Sequence, residues 1–190
     1  MIQQTILFIE KRLNQYLMSR FPSASDWVVT SSVTGPGGTP PLATNNKIVL
    51  TLVNIERDAT ATATHPKSKV EDKSIAKMNP AMRINLDILV SAQFETNYSD
   101  GLVLLSAALG FFQGSSHYTA SSAPDLPQGL DKLTTEWVDQ NRQELHNLWT
   151  VLGGKYMPSM MFKLRMLSVQ ESWVTEDVPI ITGTSSDVVP

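Results

Sequence analysis

The side chains best suited to catalysis or metal binding are few in this chain and stand far apart. The three histidines are His65, His117 and His146, and none has a histidine or carboxylate four residues away, the spacing that puts two metal ligands on one helix face. There is no cysteine, so disulfides, thiolate metal sites and cysteine nucleophiles are excluded. The sequence therefore predicts no metal site and places the histidines at the surface.

Gly153-Gly154-Lys155 is the nearest approach to a phosphate-binding loop. In the motif G-x-x-x-x-G-K-[ST], however, the first glycine would fall on Trp149, and Tyr156 replaces the serine or threonine that would hold magnesium. The two glycines also follow a predicted helix instead of preceding one. They are typical of a helix C-cap.

Adjacent acids occur at Glu71-Asp72 and Glu176-Asp177, in polar segments. General acid–base catalysis needs one desolvated acid with a positioned partner, which solvated loop acids do not supply. No G-x-S-x-G nucleophile elbow is present either. We therefore predict no catalytic residue, no cofactor-binding residue and no cofactor.

Composition predicts one soluble domain that works without nucleic acid. The chain has 190 residues and a net charge of −3, without the basic excess of a phosphate-tracking protein. Charged residues make up only 17%, against about 25% in typical proteins, while 19 serines and 17 threonines are present. Such a thinly charged surface fits subunit contacts or long polar loops equally well.

No segment has the character of a signal peptide or membrane span. The N-terminal segment carries Glu10, Lys11 and Arg12 within a helical pattern, and the longest apolar stretch, Gly101–Phe112, is short of the ~20 residues that cross a bilayer. We expect a chain made in the cytoplasm and not inserted into a membrane.

Hydrophobic spacing predicts three helices. The first has a stripe at spacings of three and four and ends at Phe21-Pro22; the second is capped by Ser99 and ends at Gln113-Gly114; the third covers Arg142–Leu152. The stripe of the first is Ile2, Ile6, Ile9, Leu13, Tyr16 and Leu17, and the buried face of the second is Leu102, Leu105, Leu109 and Phe112.

Strands are predicted between these helices. Lys47–Glu56 is almost continuously apolar, which favours a central strand, and Met82–Phe94 alternates apolar and polar residues. The other predicted strands are Asp26–Thr30, Leu130–Asp139 and Met160–Val169. The fold class is α+β: a single domain with a mixed, mostly antiparallel sheet and helices packed on it.

The predicted domain covers residues 1–170 and contains two long loops, 31–46 and 57–80, of which the second has no periodicity. Ser115–Gly129 is a further predicted loop. Residues 171–190 form a C-terminal arm with a β-like stretch, Trp173–Thr182, in which Pro179 indicates an edge strand. A disordered C-terminus is the alternative.

Several sequence blocks in order carry a family resemblance. They are Asn46–Arg57, Ile84–Val90, Leu104–Gly114, Leu145–Tyr156 with Pro158-Ser159, and Phe162–Leu167, after an amphipathic N-terminal helix. Together they resemble the cap, or tail-terminator, proteins of phage-tail-like contractile injection systems of the Photorhabdus virulence cassette and antifeeding-prophage type. The resemblance runs from about Met1 to Ser168 and departs in the two long loops and the tail.

The resemblance implies a non-enzymatic structural cap. Such a protein forms a homohexameric ring that closes the tube and contractile sheath, stops their polymerisation and holds the last sheath layer. Its partners are itself and the sheath and inner-tube proteins, within a particle that is released or anchored. The alternative from another class is a small ligand-binding or enzymatic α+β domain with a ligand-sized pocket in the long loops.

Seven residues are interface candidates. Glu56 and Arg57 end the predicted central strand and open the long excursion, so a subunit or tube contact and an internal salt bridge are both open for them. Lys155 follows the double glycine. The candidates in the tail, which could add a strand to an exposed sheet edge, are Trp173, Val174, Ile180 and Ile181.

Overall fold

Three α-helices and nine strands make up the described part of the chain. The computed structural model describes residues 1–35, 37–58, 68–71, 74–78, 82–169 and 174–179. The helices are α1 (Ile2–Arg20), α2 (Tyr98–Gly114) and α3 (Arg142–Leu152), with a 3₁₀ turn at Leu42–Thr44. The strands are β1 (Val28–Thr30), β2 (Lys47–Arg57), β3 (Ser68–Glu71), β4 (Ser74–Met78), β5 (Met82–Gln93), β6 (His117–Thr119), β7 (Lys132–Val138), β8 (Ser159–Val169) and β9 (Val174–Pro179).

A six-stranded sheet in the order β1-β2-β5-β8-β7-β6 organises the domain. Only β1 runs parallel to its neighbour, and every other pairing in this sheet is antiparallel. The predicted α+β class with a mixed, mostly antiparallel sheet is confirmed. The predicted central strand, β2, is the second strand of the sheet, and β1 covers only its residues Ile48–Leu50.

One face of the sheet, called here the helix face, packs against α1 and α2. Alternate residues of β5 and β8 point to it because side chains in a strand alternate between faces. With the buried stripe of α1 they form the main core, whose largest fully buried members are Ile9, Leu13, Leu17, Ile48, Leu50, Leu86, Ile88, Leu133, Leu164 and Met166. The ring of Phe112 on α2 stacks on Phe162 of β8 with centroids 4.0 Å apart.

The opposite face, called the α3 face, is covered only in part. Trp149 of α3 packs on Leu89 of β5 and Met161 of β8. The predicted bounds of α3 are confirmed, and the local reason is a capping box: Asn141 Oδ1 accepts from the backbone N–H of Glu144, whose carboxylate accepts from the N–H of Asn141. Gly153, at φ 67°, ends the helix in the left-handed conformation that glycine adopts without strain.

Helix α2 differs from its prediction in its start and in its buried face. Asn97 is the N-cap residue and its side chain makes no capping hydrogen bond, so the prediction that Ser99 caps the helix was wrong. Leu102 is 40% exposed. The reason is that Gly101 packs closely against Phe94, so the side of the helix formed by residues 101, 104, 105 and 108 faces the core.

Two segments predicted as loops contain strands. β3 and β4 lie within 57–80 and form a three-stranded sheet with β9 in the order β3-β4-β9, and β6 lies within Ser115–Gly129. The 57–80 loop prediction was therefore wrong for these residues, because β4 pairs with a segment ~100 residues away. The strand expected in the tail is confirmed for Val174–Pro179. Trp173, Ile180 and Ile181 lie outside the described residues.

None of the described helices is both long and apolar enough to traverse a bilayer.

Candidate interaction surface

Two rows of polar residues cross the α3 face beside α3. Because paired residues of antiparallel strands share a face, the strand registers align one residue from each of β2, β5, β8 and β7 in each row. The rows are Asn54, Asp87, Lys163 and Glu136, and Glu56, Asn85, Arg165 and Thr134. Asn54, Asp87 and Lys163 of the first row and Glu56 of the second line one wall of an open groove of about 470 Å³, and α3 forms its other wall.

Two ion pairs link the rows diagonally, and a third joins Lys163 to Asp87 within the first row. Lys163 Nζ lies 2.7 Å from Glu56 Oε2 and 3.7 Å from Asp87 Oδ1, and Arg165 Nε lies 2.8 Å from Glu136 Oε2. The hydrogen bond to Glu56 raises the pKa of Lys163 above its ordinary value; desolvation opposes the rise and the charge of Asp87 adds to it. Glu56 is thus engaged in the internal salt bridge that the sequence left open as an alternative.

Arg57, the next residue, has a different environment. Its side chain is exposed on the helix face of β2 and forms no ion pair with any residue in the described ranges. Ile55, two residues earlier on the same face, is 50% exposed. The end of β2 therefore presents, next to each other, an apolar side chain and a cation that no described residue neutralises.

The end of β7 has a similar arrangement with the opposite charge. Trp137 is 49% exposed, and its ring packs edge-on against Phe162. Its indole N–H donates to Asp139 Oδ1 at 2.7 Å, which holds an exposed carboxylate beside the ring. Sequence reasoning missed this pair; an aromatic residue two positions before an acid at a strand end is the signal that could have found it.

Lys155 lies at the rim of a recess of about 600 Å³. The walls include the exposed rings of Tyr98 and Tyr156 and the loop that carries Val33 and Thr34. Position 154 requires glycine, because the Cβ of any other residue would stand 2.8 Å from Val33 Cγ1. Gly153 therefore ends α3 as a C-cap, and Gly154 allows the end of the helix to pack closely against this loop.

The histidines stand apart from one another. His117 on β6 and His146 on α3 are exposed, and His65 lies outside the described residues. Across the described ranges, no three His, Asp or Glu side chains are grouped so that they could hold a metal ion. Of the tail candidates, Val174 begins β9 and is paired with Met78 of β4.

The fold is similar to two solved structures. The first is the sheath/tube terminator of PVC, an extracellular contractile injection system, in its extended state (TM-score 0.63, 15% identity, 98% of this chain and 64% of that one). The second is the tube-terminating cap of the anti-feeding prophage, AFP (TM-score 0.61, 13% identity, 97% of this chain and 62% of that one). At these identities the likeness establishes the fold. The chain spans less than two thirds of either structure.

No curated protein matches the sequence. The family model described as the Pvc16 N-terminal domain matches residues 5–183, nearly the whole chain. The resemblance that the ordered sequence blocks indicated is confirmed by this match and by the two structures. The chain belongs to the Pvc16 N-terminal domain family.

Proposed function

We propose that the chain is a structural cap that terminates the tube and sheath of a contractile injection particle and holds the end of the sheath. The observation that carries this proposal is the fold match, which spans 98% and 97% of the chain and reaches a terminator in one particle and a cap in another. A cap works by matching the last ring of a stack with one surface and offering no equivalent surface above it.

The cap acts as a homohexameric ring whose partners are the sheath and inner-tube proteins. A head-to-tail ring uses one heterologous interface repeatedly and closes when the rotation per subunit fits. The few charges and the abundant serine and threonine suit such contacts. Within this proposal no step requires a catalytic residue, nucleic acid or a membrane.

The seven interface candidates acquire distinct roles in this proposal. Glu56 is held in its ion pair with Lys163 within the polar rows, whereas Arg57 and Lys155 are exposed and can contact a neighbouring subunit. Residues 171–190 act as an arm on the 1–170 domain, and Trp173, Val174, Ile180 and Ile181 contribute to sheath or subunit contacts.

A ligand-binding role is the second candidate, and the recess beside Lys155 favours it. Its volume of about 600 Å³ and its aromatic walls suit a small molecule. The same recess would equally accept a side chain or loop of a tube protein. Filling it by Thr39→Trp should therefore weaken capping under the first function and ligand binding under the second.

The test of the cap function is assembly of the particle's own tube and sheath proteins with and without this chain. With the chain present, we expect tubes of defined length that end in a ring, seen by electron microscopy. Without it, we expect tubes of broad length distribution and sheaths that do not stay attached at that end. Equal lengths and equal end structures in both preparations would overturn the proposal.

A further inference from the structure

In the described part of the chain, each edge strand of the six-stranded sheet pairs with only about half of its neighbour. β1 pairs with Ile48–Leu50 of β2, and β6 pairs with Lys132–Thr134 of β7. Among the described residues, no strand pairs with the outer edge of β2 from Leu52 to Arg57, nor with that of β7 from Glu136 to Val138. Unpaired backbone N–H and C=O groups along such edges are a template for another strand.

The two open edges present their apolar side chains on one face of the sheet. Ile55 lies opposite Leu86, and Trp137 lies opposite Phe162. Leu86 and Phe162 both belong to the core under α1 and α2, so Ile55 and Trp137 both lie on the helix face. Each is about half exposed, so each open edge offers apolar surface to a strand that pairs with it.

The strand directions of the two edges are compatible. β5 is antiparallel to β2 and to β8, and β7 is antiparallel to β8, so β7 runs antiparallel to β2. A second copy that places its β7 beside β2 therefore continues the antiparallel alternation and keeps the helix faces on one side. Repetition of this contact generates a head-to-tail series of subunits.

The charges at the two edges are complementary. Arg57 follows Ile55 by two residues on the same face and is free of ion pairs within the described part, while Asp139 follows Trp137 by two residues. An antiparallel register with Arg57 opposite Trp137 puts Ile55 opposite Asp139. The guanidinium then lies over the indole and diagonally next to the carboxylate, a cation–π contact combined with an ion pair.

We propose that copies of this chain join through these edges, with the β2 end of one subunit (Ile55, Arg57) on the β7 end of the next (Trp137, Asp139). The inference rests on the proposed ring and names its subunit contact. The short strands β1 and β6 limit the contact to the open halves, which restricts the register. Because the contact is heterologous, it builds a head-to-tail series instead of a two-fold dimer, and the series closes into a ring when the rotation per subunit fits.

Cross-linking tests this contact directly, because the native chain has no cysteine. Ile55→Cys and Asp139→Cys in one chain, treated with a short bismaleimide in the presence of tube ends, should give a covalent ladder that reaches six subunits. Each single variant should give no ladder. The control pair is Ile55→Cys with Asp131→Cys, since Asp131 is exposed just before the other end of β7; a ladder there equal to that of the test pair would overturn the proposal.

A charge exchange provides the second measurement. Arg57→Glu and Asp139→Arg should each lower the ring fraction at least tenfold in light scattering, and the double variant should recover part of it, because the reversed pair restores the ion pair but not the cation–π contact with Trp137. Asp139→Asn keeps an acceptor for the indole and should lower the ring fraction less than Asp139→Arg does. Asp131→Lys should leave it unchanged, and thermal melts of all variants should stay at the native value, which separates lost association from lost folding.

The outcomes separate this contact from the cap function. If tubes end normally but residues 55 and 139 do not cross-link, or cross-link only to a tube or sheath protein, the edge contact is overturned. The cap function then still stands. Failure of the unmodified chain both to associate with itself and to bind tube ends overturns the cap function and the edge contact together.

Discussion

Glu56 and Lys163 stand 107 residues apart in the sequence, and their side chains meet at 2.7 Å across the polar rows of the α3 face. The contact joins β2 to β8 over the intervening β5. Both side chains remain partly exposed, at 41% and 23%. Partly exposed ion pairs contribute only about 0.5 kcal/mol to the free energy of unfolding. The contact therefore fixes the positions of surface side chains more than it stabilises the fold.

The first prediction concerns alkaline pH. The raised pKa of Lys163 in the folded state means that its contribution to stability is present below its unfolded pKa of about 10.5 and is lost as the pH rises through the higher folded value. The unfolding free energy should fall more steeply between about pH 9.5 and 11.5 in the native chain than in Lys163→Met. Glu56→Gln should reduce the slope in the same way. Parallel slopes in all three would contradict the assignment.

The second prediction concerns acidic pH. Desolvation raises the pKa of Asp125, but the hydrogen bond and charge of Arg12 outweigh it and hold that pKa below its ordinary value. Stability from this pair is therefore present above about pH 4 and is lost as the pH falls through the lower folded pKa. Urea unfolding from pH 5 to 2 should show a smaller decline in Asp125→Asn, and Arg12→Gln should reduce the decline in the same way.

The third prediction compares two glycines of α2. A Cβ on Gly101 would stand 2.9 Å from the ring of Phe94, whereas a Cβ on Gly114 meets nothing within 4 Å. Gly101→Ala should destabilise the protein by about 1–3 kcal/mol through overpacking. Gly114→Ala should be neutral or slightly stabilising, because alanine loses less backbone entropy. Equal melting temperatures for the two variants would show that the Gly101 contact is easily relieved.

The fourth prediction uses the caps of two helices. Asn141→Ala removes the acceptor of the capping box of α3 and should cost about 0.5–2 kcal/mol in chemical unfolding. Asn97→Ala, at the start of α2, removes a side chain that makes no capping bond and should cost clearly less. A larger loss for Asn97→Ala would contradict this account of the two helix starts.

The fifth prediction is that the chain without residues 171–190 still folds. Among the described strands β9 pairs only with β4, so its removal leaves the six-stranded sheet and its core intact. The truncated chain should unfold cooperatively, while its binding to sheath or neighbouring subunits should weaken. Deletion of α1, which carries the fully buried Ile9, Leu13 and Leu17, should instead abolish folding. Undiminished tube termination by the truncated chain would reject the role of the arm.

The sequence predicted those elements that local signals define. The bounds of α3 follow from the Asn141–Glu144 box and from Gly153, and β5 follows from strict alternation. The strand β4 was not predicted because its partner β9 lies ~100 residues on, and β3 was not predicted because it pairs with β4; no local periodicity encodes such pairing. Likewise, Asp87 and Lys163 become neighbours only through the register of β5 and β8.

The long pairing of β5 with β8 has a mechanical consequence. These strands lie at the middle of the sheet and are bonded along most of their lengths, from Met82 to Ser91 in β5 and from Ser159 to Val169 in β8. A pull directed along the strands loads all of these hydrogen bonds at once, whereas a pull across them opens the ladder one bond at a time. In the proposed cap, a subunit at the end of a contracting sheath would therefore withstand the recoil best with its strands aligned to the direction of the force.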